Sequence, residues 1–112
     1  MTWAALVKLG VKLPEVAAGT WYGTPGLLVR GKGFVRLKED GASVVFVLED
    51  VDAQQFLIHA LPAVYFITDH YRGWPAVLAR LAKLSVNEAT LRLKNAWQLK
   101  APKKLLAAVA AK

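Results

Sequence analysis

Cysteine is absent from the chain, which removes disulfide staples, thiolate metal ligands and a cysteine nucleophile, and agrees with a reducing, cytoplasmic setting. Histidine is scarce as well, with only His59 and His70 present. Two imidazoles, no thiol and no spaced set of carboxylates do not supply the three or four convergent ligands a metal needs, so neither a metal nor any other cofactor is expected. Acidic residues are few, eight against fifteen lysines and arginines, and none follows Glu88. Long apolar runs are also missing: no uncharged stretch approaches the ~20 residues of a membrane span. Met1 to Gly10 include a lysine and no apolar segment long enough for a signal peptide. The expectation is a chain neither exported by that route nor held in a membrane.

What is present suits one folded domain spanning residues 1–112. Hydrophobic residues make up 55% and charged residues 21% of the chain, enough apolar material to offset chain entropy. Folding at this length buries roughly two-thirds of the extended surface. The formal net charge is +7, which favours polyanionic partners through long-range attraction and counterion release. Arg92, Lys94, Lys100, Lys103, Lys104 and Lys112 follow the last acidic residue, a purely cationic C-terminal segment whose simplest role is a solvated helix face.

Thr2 is placed to cap a first helix carrying Leu6, Leu9 and Leu13, with Pro14 ending it. From Gly19 the texture changes to short β-branched and aromatic runs, 20–22, 27–30, 34–38 and 43–48, which read as antiparallel strands. Gly31-Lys32-Gly33 and Asp40-Gly41 supply the positive-φ positions of tight hairpin turns. With Asp40-Gly41 central, Leu37 pairs with Val44 and Val35 with Phe46, which places Phe34, Arg36 and Lys38 on the other face. Asp50 or Asp52 caps a helix with Ala53, Phe56, Leu57 and Ala60 on its stripe, and Pro62 stops it. Strands over 64–68 and 74–82 flank the polar turn Asp69-His70-Tyr71-Arg72-Gly73. Ser85 and Glu88 have capping-box spacing and open a helix through Trp97 with Ala89, Leu93, Ala96 and Trp97 buried. Pro102 starts a last short helix, with Lys103 and Lys104 in its first turn where the dipole disfavours cations. The fold class is α+β: two layers, an antiparallel sheet of about five strands with helices on one face.

No constellation for catalysis stands out. A serine or threonine nucleophile needs a base and an orienting acid, and adjacent Asp69 and His70 point apart in a strand or turn. Gly31-Lys32-Gly33 joins two strands rather than opening a helix, so it is a turn and not a phosphate loop. Trp3 and Trp97 lie on helices and read as core. Trp21 with Tyr22, and Trp74 with Tyr71, lie near Arg30 and Arg72. They form either a packed corner or an aromatic-basic surface on which bases stack.

Leu13-Pro14-Glu15-Val16, then Gly19-Thr20-Trp21-Tyr22-Gly23-Thr24-Pro25 leading into Val29 to Leu37, and above all Tyr65-Phe66-Ile67-Thr68-Asp69-His70-Tyr71-Arg72-Gly73-Trp74-Pro75, resemble the MmcQ/YjbR family in order and spacing over nearly the whole chain. Ala96-Trp97 and Ala101-Pro102-Lys103 fit too. The resemblance implies a CyaY-like α+β fold and DNA binding through a double-wing arrangement. An iron-handling role of the frataxin type needs an acidic surface that this basic chain lacks.

The expected function is non-catalytic binding of nucleic acid, DNA first, with low sequence specificity. The expected contacts are Arg30, Lys32, Arg36, Lys38, His70, Arg72, Trp74, Lys103 and Lys104. For Arg72 the alternative is an internal salt bridge to Asp69 or Glu15. A protein-interaction or chaperone-like module using an exposed sheet face is one rival function. A small-ligand pocket around Tyr22, His70 and Trp74 is another.

Overall fold

Three side chains start the three main helices by accepting an otherwise unpaired backbone N–H. Thr2 Oγ1 takes that of Ala5 at 3.1 Å, Asp50 Oδ1 that of Ala53 at 2.8 Å, and Ser85 Oγ that of Glu88 at 3.1 Å. The helices so begun are α1 (Trp3–Gly10), α2 (Val51–Ala60) and α3 (Val86–Lys100), and α4 (Lys103–Ala110) follows Pro102. The computed structural model describes residues 1–111, so Lys112, the last of the C-terminal cations, lies outside the described residues. Between the helices run β1 (Val16–Trp21), β2 (Thr24–Val29), β3 (Lys32–Leu37), β4 (Ser43–Val47), β5 (Tyr65–Phe66) and β6 (Ala76–Arg80). All pairings are antiparallel, in the order β1-β2-β3-β4-β6-β5. The sheet thus has six strands where about five were expected. No helix among the described residues is long and apolar enough to cross a membrane.

The expected β3–β4 register holds, Val35 against Phe46 and Leu37 against Val44. Two neighbouring expectations do not. The β2–β3 turn is centred on Arg30-Gly31, φ 46° and 82°, so Lys32 opens β3 and Gly33 lies within it. Pairs of positive φ match the twist of two-residue hairpins, and Tyr22-Gly23 closes β1–β2 in the same way with φ 54° and 77°. Phe34 also departs from expectation. Leu27 pairs with Val35 and Leu28 with Gly33, which leaves Phe34 as the extra residue of a β-bulge. Phe34 and Val35 therefore both enter the core, and Phe34 does not join Arg36 and Lys38.

The core lies between the sheet and the helices, with Leu27, Val29, Phe34, Val35, Val44, Phe46, Val77 and Ala79 meeting Leu6, Leu57, Leu93 and Trp97. Trp97 is buried and its indole N–H donates to the Pro14 carbonyl at 3.0 Å. On α2 the inward positions are Gln54 and Leu57, while Phe56, expected on the apolar stripe, is 70% exposed and Ala60 is exposed. In α3 only half of the capping box forms. The Glu88 carboxylate turns instead to the Tyr65 hydroxyl, which donates to it at 2.8 Å. Burial, and then this bond, push the Tyr65 phenol's pKa well above its usual value.

Candidate nucleic-acid interface

Among the described residues the sheet's other face carries no α-helical layer, and its surface is set by the bulge and by two glycines. Downstream of Phe34 the alternation aims Arg36 at this face, opposite Val45. The Trp21 ring lies flat over Gly33, where a Cβ would come within 2.2 Å of it, and Gly26 leaves room beside the Trp21 and Arg36 Cβ atoms. Neither position accepts a side chain without moving Trp21 or the β3 backbone. Tyr22, at the adjoining hairpin tip, stands 5.1 Å from Trp21 between ring centroids and is 76% exposed.

From the opposite side the 69–75 segment folds over the sheet. Tyr71 packs on Val45 and Leu78, and its hydroxyl accepts from Arg36 Nη2 at 3.1 Å. The Gln54 side-chain amide fixes the segment from behind, donating to the carbonyls of Tyr71, Trp74 and Ala76 at 3.0, 2.9 and 2.8 Å. An NH₂ has two protons for these three acceptors, so one is shared. A fully buried polar residue on α2 therefore holds the loop that presents His70 and Trp74.

Arg36 is the hub of the face and is only 8% exposed. Besides Tyr71 it donates to Thr24 Oγ1 and Glu39 Oε1, both at 3.2 Å, and its guanidinium sits 5.6 Å from the Tyr22 ring centroid. Lys38 lies 5.4 Å from the Tyr71 ring centroid and 3.3 Å from Glu39 Oε2. Glu39's own backbone N–H, with Lys38 and Arg36, lowers its carboxyl pKa to about 2. It stays ionised across any ordinary pH.

These elements enclose a cleft of about 690 Å³ lined by Trp21, Tyr22, Arg36, His70, Tyr71 and Trp74, and closed by Glu49, Leu99 and Lys100. Of the residues expected to bind nucleic acid, Arg36, His70 and Trp74 meet here. Lys38 lies beside them against Tyr71. Arg72 does not line the cleft and pairs with Asp69 at 2.7 Å, one of the two partners named for the alternative reading, although both side chains are mostly in water. Arg30 is at the other end of β2, gripped by both Glu15 oxygens at 2.8 and 2.7 Å, with Lys32 exposed next to it. Lys103 and Lys104 are exposed on α4 and do not line the cleft. Lys100 was not expected at the site, and Trp21 and Tyr71 were expected there only under the aromatic-basic alternative to a packed corner. The glycines beneath Trp21 were the available signal, but they become one only with the β2–β3 register known.

The model of the YjbR family matches residues 11–99. The chain belongs to the YjbR family. The matched span takes in every strand and every cleft residue except Lys100, and leaves out α1 and α4. Among curated proteins the chain is similar to Uncharacterized protein Mb2600 of Mycobacterium bovis and Uncharacterized protein Rv2570 of Mycobacterium tuberculosis. Each is 34% identical over 74 residues, covering 66% of this chain and 49% of the relative. The chain thus spans about half the length of the curated relatives it matches. No solved structure matches.

Proposed function

We propose that the open sheet face binds nucleic acid without catalysis and with low sequence specificity, taking unpaired bases into the cleft. The observation that carries this reading is the pair of large aromatic side chains left in water on one cleft, Tyr22 at 76% and Trp74 at 63% exposure. Exposed aromatic faces beside cations are what single-stranded nucleic acid stacks on, at about 1–3 kcal/mol per base, with little regard to sequence. The net charge of +7 supplies attraction to the phosphate backbone. Arg36 and Lys38 are already engaged with Tyr71 and Glu39, so in this reading they set the shape and charge of the face. Lys100, His70, Arg72 and Lys32 meet phosphates. A single strand is preferred, because a paired base hides its face in the duplex stack. A cytoplasmic setting accords with the lack of cysteine.

The test is a fluorescence-anisotropy titration of the full chain with a single-stranded oligonucleotide and its duplex, repeated over a salt series. Tighter binding of the single strand, weakening steeply with salt, supports the proposal. Affinity that ignores salt, or favours the duplex, removes it. The concavity of the cleft favours one second reading, a small planar anion such as a mononucleotide held between Tyr22 and Trp74. In that case a mononucleotide would bind as tightly as the oligonucleotide.

A further inference from the structure

The sheet's two edges are built differently. β5, at one end, is a two-residue strand. β1, at the other, has six residues, Val16-Ala17-Ala18-Gly19-Thr20-Trp21, and its four central residues are exposed. Edge strands are normally shielded by charge, proline, a bulge, shortness or a covering element. β1 has no charged residue and no proline, and its pairing with β2 runs without a register shift.

Hairpin geometry identifies the free groups. The Tyr22-Gly23 turn makes Trp21 and Thr24 a hydrogen-bonded pair, and bonded pairs recur at every second residue. The Arg30 N–H donates to the Glu15 carbonyl at 3.4 Å, which confirms that the odd-numbered residues of this strand bond inward. The N–H and C=O groups of Ala18 and Thr20 and the C=O of Val16 therefore point away from the sheet. The Val16 N–H is already given to Leu13.

We propose that β1 pairs with β1 of a second copy, antiparallel and centred on Ala18, to join the two sheets into one. The strand is self-complementary in that register. The two Ala18 residues exchange reciprocal hydrogen bonds, and each Thr20 N–H meets the Val16 carbonyl of the other copy, so no outward N–H remains unpaired. Small side chains at Ala17, Ala18 and Gly19 allow close approach. The nearest ion pair, Glu15 with Arg30, is internally neutral, so it adds no net charge to this edge. An antiparallel pair has its two-fold axis perpendicular to the sheet, which keeps both helical layers on one side and both clefts on the other. The pairing itself stands without the nucleic-acid reading; that the dimer offers a longer strand two clefts on one face rests on it.

The experiment is sedimentation equilibrium of the full chain without nucleic acid, over a concentration series at low and high salt. The expected result is a dimer that strengthens as salt screens the like charges, opposite in sign to the salt effect on nucleic-acid binding. Ala18→Lys sets two cations against each other on the two-fold axis and should leave a monomer with unchanged circular dichroism and melting temperature. Because the chain has no cysteine, Ala18→Cys should give a covalent dimer on mild oxidation, since the ~5.5 Å Cα separation of a bonded antiparallel pair lies within disulfide reach. Gln98→Cys should not. A wild-type chain that stays monomeric at every concentration, or an Ala18→Lys variant that still dimerises, overturns the proposal. Neither result bears on whether the monomer binds nucleic acid.

Discussion

The two faces of this sheet are held by different physics. The helix-covered face is an apolar interior in which Phe34, Val44, Phe46, Leu93 and Trp97 exclude water, and its strength scales with the area removed from solvent. The open face has a smaller apolar patch, Val45, Leu78 and Tyr71 with Phe66, Ile67 and Ala76 against them. Directional contacts fix the rest of it: Arg36 to three partners, Gln54 to three carbonyls and Trp21 over Gly33. The first arrangement gives stability. The second holds aromatic rings in water where they would otherwise collapse onto the surface, and it is the second that makes a site.

The comparison predicts that truncation of the closed face costs fold, and truncation of the open face costs shape or binding. The largest effect belongs to Trp97→Ala, which empties a buried site and strands the Pro14 carbonyl. A loss of about 3–5 kcal/mol is expected by urea denaturation, and a change near zero would mean the closed face is not the stabilising one. Gln54→Leu is next. It keeps the volume but leaves three carbonyls without their donor, at about 1–3 kcal/mol for each buried group not rescued by water. The 69–75 loop should loosen, read as a shifted and broadened Trp74 emission, and a native-like spectrum with native stability would refute its role as the loop's anchor.

A pH profile separates the faces in another way. Tyr65 has its pKa raised by burial and by its bond to Glu88, so the folded state keeps a proton that the unfolded chain begins to lose near pH 10. The stabilisation is complete below that pH and declines as pH rises, by up to about 1.4 kcal/mol per unit. Denaturation curves of wild type and Tyr65→Phe should run parallel below pH 10 and converge above it. Parallel curves throughout would mean that the phenol is not desolvated.

What could be read from the sequence divides along the same line. Thr2, Asp50 or Asp52, and Ser85 announce their helices because capping is local, and Leu37–Val44 pairing follows from the Asp40-Gly41 turn alone. Trp97 is legible as core from helical periodicity. The bulge at Phe34 is not, since an extra residue in β3 is defined only against β2. Gln54 is also hidden, for its burial depends on three carbonyls some twenty residues away. At the site, Asp69 to Trp74 draws notice as a cluster of turn formers with an aromatic, yet the partner that completes the cleft, Trp21 on its glycine floor, comes from the other side of the sheet.

On the open face, Trp74→Ala should leave stability within about 0.5 kcal/mol, as for an exposed position. If a base stacks there, it should weaken oligonucleotide binding by about 1–3 kcal/mol. Unchanged affinity would take Trp74 out of the interface.

The smallest expected effect is at Arg72. Its pairing with Asp69 looks structural, but the two side chains are 79% and 95% exposed, and such pairs contribute about 0–1 kcal/mol. Water screens the attraction, and holding two free side chains together costs rotamer entropy. Arg72→Ala should therefore barely move the melting temperature. If the guanidinium exchanges Asp69 for a phosphate on binding, the variant loses affinity equally for all sequences and its salt slope falls by about one. Asp69→Asn should have the opposite effect, because it frees Arg72 and removes a negative charge near the strand's path. A lowered melting point with unchanged affinity in Arg72→Ala would make the pair part of the loop's structure and leave phosphate contact to Lys100 and His70.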